Sequence, residues 1–255
     1  MRRLFNSFTL LLGSLGVLLC VAAAVGVWFA GARLNQATDK VFDGVDRSLV
    51  ASRDRVLDAQ TRVQESRITA NDVGQAVENW MRAEATERLT SRLKIEEKTQ
   101  RLAAGLRQAD QGLEVSEESL QAAQKILEIA RSLGASTDVA VVDPLLEKLG
   151  AVRTKVQQST ETVDAIRERM AAAAEGPSLE ERIRQVAQLA LRVVATVGDI
   201  DSRLGEFADG FASARAKVEH LKNQTHRYIV AAQIGALLLI LWMAVGQAAL
   251  MYRSI

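Results

Sequence analysis

LEERIRQVAQLALRVVATVGDIDSRLGEFADGFASARAKVEHL, residues 179–221, is the stretch that decides the fold class. Its apolar residues recur at alternating spacings of three and four without a slip, at Leu179, Ile183, Val186, Ala190, Val193, Val197, Ile200, Leu204, Phe207, Phe211, Ala214, Val218 and Leu221. This spacing places one apolar stripe, or seam, on one face of an α-helix. The stretch therefore predicts a long helix packed against other helices.

The same register continues past Leu221 through Thr225 and Tyr228 into an uncharged run, at Ala232, Gly235, Leu239, Trp242, Gly246 and Ala249. It therefore predicts one helix that extends from solution into a bilayer. The helix has a clear start, because Ser178 and Glu181 form a capping box after Gly176-Pro177.

Three upstream segments have seams of the same kind. The first is thin, with Ser, Ala and Val from Val45 to Trp80, which predicts close approach of a neighbouring helix. The others run from Ile95 to Ala130 and from Leu149 to Ala173.

Only 4% of residues are aromatic and two are proline, so we expect an all-α fold. The prediction is an antiparallel four-helix coiled-coil bundle over residues 33–227, with helices at about 33–90, 95–133, 144–174 and 178–228 and the first turn between residues 80 and 95.

Two uncharged runs flank this region, 29 positions between Arg3 and Arg33 and 25 between Arg227 and Arg253. About 20 apolar residues span a bilayer core, so we predict transmembrane helices at 8–32 and 228–251, with short tails at 1–7 and 252–255. Ala30-Gly31-Ala32 also resembles a signal-peptide cleavage site. The run exceeds the usual apolar length of a signal peptide, about 7–15 residues, which favours an uncleaved anchor while leaving cleavage of residues 1–32 an alternative.

The orientation follows from the basic residues. Arg2 and Arg3 favour an N-terminus inside, which puts both termini in the cytoplasm and the bundle outside a bacterial inner membrane. Seven basic residues on the bundle side oppose this, but loops much longer than about 60 residues translocate largely regardless of charge.

Charge and motifs exclude several classes of function. All 31 acidic residues and 29 of the 32 basic residues lie between the apolar runs. This mixed surface is not a footprint for nucleic acid. The chain has one cysteine and no nucleotide-binding, metalloprotease or serine-hydrolase motif. We therefore predict no enzyme activity, no catalytic or metal-binding residues and no cofactor.

Two groups of residues are candidates for contacts. Small and amide side chains share one face of each transmembrane helix and predict close packing, either within one chain or between copies, at Gly13, Gly16, Cys20, Ala24, Gly31, Gln233, Ala244 and Gln247. Apolar side chains near the bundle ends are either core residues or contacts for a ligand or partner, at Trp80, Val139, Val141 and Val142.

A basic N-terminus, a membrane helix, a helical bundle and a last helix continuous with a second membrane helix resemble the sensory half of bacterial chemoreceptors and sensor kinases. The resemblance covers architecture only and transfers no ligand-binding motif. Four residues follow the second predicted span, so we expect no output domain. Two functions remain: a membrane-anchored scaffold or interaction protein, or a partner-dependent sensor or regulator with a helical ligand-binding bundle. The expected partners are the lipid bilayer and either further copies of the chain or another membrane protein, and the chemistry of any small-molecule ligand stays open.

Overall fold

The computed structural model describes residues 2–82, 88–132, 141–172 and 179–254. They form four α-helices, with α1 at Arg2–Arg82, α2 at Arg88–Ser132, α3 at Asp143–Ala172 and α4 at Leu179–Ser254. None of the described residues lies in a β-strand. The predicted all-α class is confirmed.

The start of α3 follows from its sequence. Pro144 occupies the first turn, where its missing N–H breaks no helical hydrogen bond. The backbone amides of Leu145 and Leu146 both donate to the carbonyl of Val142, at 3.0 and 3.1 Å. The Gln124 amide adds a hydrogen bond of 3.0 Å to the carboxylate of Asp143. These contacts fix the entry of the chain into α3.

The other chain connections lie outside the described residues. The turn predicted between residues 80 and 95 includes residues 83–87, which separate the end of α1 from the start of α2. Most of the predicted loop at 134–143 and the Gly176-Pro177 interruption also fall outside.

The chain divides into two compact units. The terminal unit consists of Met1–Asp43, Ile129–Thr137 and Val218–Ile255, and the bundle unit of Gly44–Glu128 and Asp138–Lys217. Each is described by itself below.

The core of the bundle unit is built from the seams. Each helix buries residues at alternating spacings of three and four, as from Val45 to Trp80 in α1 and from Ile95 to Leu127 in α2. In α4, Phe207 and Phe211 are buried edge to face with ring centroids 4.9 Å apart. Each fully buried large apolar side chain contributes roughly 1.5–3 kcal/mol by removal from water, so the seams supply most of the stabilisation.

Polar contacts connect all four helices of this unit. Along α1, residues of rising number contact residues of falling number in α2: Ser52 with Ser116, Arg62 with Gln108 and Asp72 with Lys98. The remaining helices are joined by Arg107–Asp164, Arg153–Glu117, Lys155–Asp199, Arg67–Asp201 and Arg215–Asp46. The unit is a helical bundle.

The α1–α2 contact is made by small residues. A β-carbon at Gly105 would lie 2.5 Å from Oγ of Ser66, and one at Gly112 would lie 3.6 Å from Cβ of Ala59. Gly105 therefore allows α2 to approach the thin seam of α1 closely, which offsets its low helix propensity, whereas a β-carbon at Gly112 would make an ordinary van der Waals contact.

Candidate functional site

The terminal unit contains the most apolar surface of the described chain. Stretches of 18 residues within α1 and α4 reach mean hydropathies of 2.2 and 2.3, so both helices are long and apolar enough to cross a membrane by length and composition. Only 6% and 0% of these stretches are buried, unlike the core helix of a soluble protein. Large side chains such as Leu18, Leu238 and Trp242 are instead exposed.

Two glycines of α1 contact two glutamines of α4 in this unit. A β-carbon at Gly31 would lie 2.6 Å from both Cδ and Oε1 of Gln233. A β-carbon at Gly16 would lie 3.0 Å from the same two atoms of Gln247. Each glycine thus leaves the space that a glutamine amide occupies, and close approach of this kind is typical of small residues between membrane helices.

The other residues predicted to pack the transmembrane helices lie on the faces of α1 and α4 that are turned toward each other. Gly13 and Gly31 are buried, and the rest of the set is half-buried: Gly16, Cys20, Ala24, Gln233, Ala244 and Gln247. Cys20, Ala24 and Ala244 line a cleft of about 440 Å³ between α1 and α4. The structure therefore brings the two predicted faces together within one chain.

A larger cleft of about 800 Å³ lies between the same two helices. Tyr228 and Leu34 at its edge are 60% and 50% exposed, so the cleft is open to its surroundings. Its lining is mostly apolar with a few amide and hydroxyl groups, and consists of Val27, Ala30, Gly31, Leu34, Gln224, Thr225, Tyr228, Ile229, Ala232, Gln233 and Ala236.

Thr225 is the unusual residue of this lining. It is 6% exposed, and its buried hydroxyl oxygen has no hydrogen-bond partner. Six other threonines in the described helices donate to the carbonyl four residues earlier: Thr61, Thr69, Thr154, Thr160, Thr162 and Thr196. Oδ1 of half-buried Asn35, which follows the lining residue Leu34 in the sequence, is also buried and unpaired. A buried donor without an acceptor destabilises the fold by about 1–3 kcal/mol. A hydrogen-bond acceptor placed beside the Thr225 hydroxyl would remove this cost.

A charged cluster lies one turn before Thr225 along α4. The ammonium of Lys222 contacts the carboxylates of Asp43 at 3.0 Å and Asp39 at 3.3 Å. These contacts, the hydrogen bond to Asp43 foremost, raise the pKa of Lys222. The charge of Lys222 is therefore already paired with two carboxylates.

In the bundle unit the main polar cluster surrounds Arg153, whose side chain is only 20% exposed. Its guanidinium contacts Glu117 at 2.6 Å, Asp110 at 3.3 Å and Glu114 at 3.6 Å. The hydrogen bond to Glu117 is the main cause of a raised pKa for Arg153. A partly buried cation with three carboxylates joins α2 to α3.

The other predicted contact residues are in the core or outside the described chain. Trp80 is 3% exposed, Val141 is 8% exposed and Val142 is fully buried. Val142 also accepts the two amide hydrogen bonds at the start of α3. Val139 lies outside the described residues.

Groups suited to metal binding are absent from the described part of the chain, where no three or more His, Cys, Asp or Glu residues are placed to hold an ion. His220 and His226 are both exposed.

Sequence reasoning missed the polar features of the terminal unit. Residue spacing places Thr225 only as a continuation of the α4 seam, although a hydroxyl in an apolar seam beside a candidate span is itself a signal of a polar partner. The Lys222 cluster has no local signal, because its acids are about 180 residues away along the chain.

Compared with known proteins, the chain matches no protein-family model, no curated protein and no solved structure.

Proposed function

We propose that the chain is a non-enzymatic, membrane-anchored coiled-coil scaffold or interaction protein. In this proposal residues 33–227 form an antiparallel four-helix coiled-coil bundle, and residues 8–32 and 228–251 cross a bacterial inner membrane. Both termini are then cytoplasmic and the bundle is outside, as Arg2 and Arg3 favour.

The observation that carries this proposal is the continuity of the buried seams. In the bundle unit, burial at alternating spacings of three and four continues without interruption along α1, α2 and α4. Coiled coils produce this pattern, because their side chains repeat on one helix face every 3.5 residues. The opposite numbering of the α1–α2 contacts supports antiparallel neighbours. Such a bundle presents long helix surfaces that can contact other proteins.

Membrane anchoring is supported by exposure. Large apolar side chains of both helices are at least 58% exposed: Leu15, Leu18 and Leu19 of α1, and Leu239, Leu241 and Trp242 of α4. A contiguous apolar surface of this kind marks a membrane or protein interaction site. The proposed protein partner is a further copy of the chain or another membrane protein.

The scaffold proposal is tested by the oligomeric state of the full chain. The protein is extracted in mild detergent and its mass is measured by light scattering over a hundredfold dilution, without added ligand. A stable oligomer whose mass exceeds that of the 27.8 kDa chain is expected. A monomer at every concentration, with no co-extracted protein, would argue against a scaffold.

The alternative is a partner-dependent sensor or regulator. It is favoured by the unbroken course of α4 from Leu179 to Ser254, because a single helix links bundle residues with a candidate span. A sensor predicts that a ligand binding the folded bundle raises its unfolding temperature. Screening small anions, amino acids and sugars by thermal shift separates the two functions, since a scaffold requires no such ligand.

A further inference from the structure

We infer that the 800 Å³ cleft of the terminal unit is a lipid site, which holds one acyl chain of a glycerophospholipid and pairs its ester carbonyl with the hydroxyl of Thr225. The inference rests on the membrane anchoring proposed above. Anchoring alone implies only general contact between this surface and the lipids of the bilayer. The inference instead names one class of lipid that binds at one place.

The length of the cleft fits one leaflet. Its lining on α4 extends from Gln224 to Ala236, which at 1.5 Å per residue is about 18 Å. Half of a hydrocarbon core of about 30 Å is about 15 Å. Since the lining runs from the charged border near Arg227 into the uncharged run, an acyl chain in the cleft would follow the direction of its neighbours in the bilayer.

The chemistry of the lining changes along the cleft as a lipid does. Gln224, Thr225 and Tyr228 provide amide and hydroxyl groups at one end. Ile229, Ala232 and Ala236 continue the lining along α4 together with one further amide, Gln233, which packs against Gly31. Ester carbonyls of phospholipids lie at the border between headgroup and hydrocarbon. The hydroxyl-bearing end of the cleft lies at that depth if α4 crosses the membrane from residue 228.

The hydroxyl of Thr225 selects the polar group of the ligand. It is a buried donor without an acceptor, and an ester carbonyl is an acceptor that carries no donor of its own. The cation one turn earlier, Lys222, is already paired with Asp39 and Asp43, and an ester carbonyl needs no cation.

The test uses native mass spectrometry of the full chain, purified in detergent and delipidated. Equal amounts of diester phosphatidylcholine and of its diether analogue, which lacks carbonyls, are added, and the bound fraction of each is counted. The variants are Ala232→Trp, which fills the cleft, and Thr225→Val, which removes the hydroxyl. Their controls are Ala231→Trp, next to Ala232 but outside the cleft lining, and Thr225→Ser, which keeps a hydroxyl.

We expect the wild type to retain one lipid and to prefer the ester over the ether about threefold to tenfold, the range for one hydrogen bond. Thr225→Val should bind both lipids equally, Thr225→Ser should keep the preference, and Ala232→Trp should lose the retained lipid while Ala231→Trp keeps it. Equal binding of ester and ether by the wild type, or equal lipid retention by the two tryptophan variants, would overturn the inference. So would a dimer that Ala232→Trp alone dissociates, because a second copy would then fill the cleft.

Failure of this inference is distinguishable from failure of the proposed anchoring. Membranes carrying the chain are washed with alkaline carbonate before purification. Release of the protein into the soluble fraction would contradict anchoring itself. A chain that stays in the membrane but shows no selective lipid contradicts the lipid site alone.

Discussion

The amide of Gln233 occupies the space that a side chain on Gly31 would need. The distance from an ideal β-carbon at Gly31 to Cδ of Gln233 would be 2.6 Å, and to Nε2 it would be 2.8 Å. Gly16 and Gln247 repeat the arrangement about four turns away along α1, at 3.0 Å. The two helices therefore approach each other at both contacts through a glycine on α1 and a glutamine on α4.

Enlarging Gly31 should separate these helices. Gly31→Leu is expected to destabilise the terminal unit by about 1–3 kcal/mol through overpacking. Gly31→Ala should have a smaller effect, because the end of the Gln233 side chain can rotate away. The measurement is the thermal unfolding midpoint in detergent. Gly26→Leu is the matched control, since no atom lies within 4 Å of a β-carbon there. Equal midpoints for Gly31→Leu and Gly26→Leu would show that the Gly31 contact is unimportant.

The two serines at the α1–α2 contact should be energetically coupled. The hydroxyl of Ser52 donates to the carbonyl of Ser116 at 3.0 Å, and the hydroxyl of Ser116 donates to the carbonyl of Ser52 at 3.2 Å. Both residues are fully buried. Ser116→Ala should cost about 0.5–1.5 kcal/mol, and a double-mutant cycle with Ser52→Ala should be non-additive by at least about 0.5 kcal/mol. Urea unfolding of the full chain in detergent, followed by circular dichroism, measures both.

The control for this cycle is Ser119→Ala on the same helix. Ser119 donates only to the carbonyl of Val115, four residues earlier, so its removal should change stability by less than about 0.5 kcal/mol. Additive effects of the Ser52 and Ser116 substitutions would contradict the reciprocal pair.

Arg153 should be the most sensitive charged residue of the bundle unit. Arg153→Ala leaves Asp110 and Glu117 without their cation, and both carboxylates are less than a third exposed. The expected loss is about 1–3 kcal/mol, as for a hydrogen bond to a charged group. Arg153→Lys should recover part of it, because an ammonium cannot reproduce the planar donor set of arginine.

Arg101→Ala provides the comparison for Arg153. Arg101 is 73% exposed and pairs with Glu97 within one helix, which is worth about 0.3–0.5 kcal/mol. The two substitutions are compared by urea unfolding at neutral pH. Similar losses for Arg101→Ala and Arg153→Ala would contradict a special role for the buried cation.

Acid should weaken the bundle through Asp199. Its hydrogen bonds, first from Lys155 and then from Arg203, lower the pKa of Asp199. Because the folded-state pKa is lower than the unfolded value of about 3.9, the contribution is complete above about pH 4 and is lost as the pH falls through the folded value. Since Asp199 is 42% exposed, the contribution should stay below about 1 kcal/mol.

The comparison of wild type with Asp199→Asn checks this dependence. The difference in unfolding free energy should be present at pH 6 and should shrink below about pH 4. Asp209→Asn is the control, since Asp209 is exposed and makes no salt bridge among the described residues. A difference that stays constant from pH 6 to pH 2.5 would contradict the assignment.

The all-α fold and the buried positions of the bundle unit follow from the sequence because both depend on local periodicity. Seam residues such as Val45, Ile95 and Ile183 are recognised by spacing alone, and all three are buried. The faces that carry Gly31 and Gln233 are recognised in the same way. Which glycine meets which glutamine depends instead on the relative position of two helices far apart in sequence, and spacing within one helix contains no such information.

The same limit applies to the polar features. Gly105 looks in the sequence like a weak point of a helix, and only the position of Ser66 reveals its use in close packing. The sequence shows Thr225 as a hydroxyl within an apolar seam, but only the structure shows that this hydroxyl is unpaired, because most threonines in these helices donate to a carbonyl of their own helix.

The most direct test is the membrane topology of the full chain, measured in living cells. A reporter active only in the cytoplasm and a reporter active only outside it are each fused after Ile255 and, separately, inserted within residues 134–143. We predict that the fusion after Ile255 reports the cytoplasm and that the internal insertion reports the outside. The same side for both positions would contradict the two-crossing arrangement on which the anchored bundle depends.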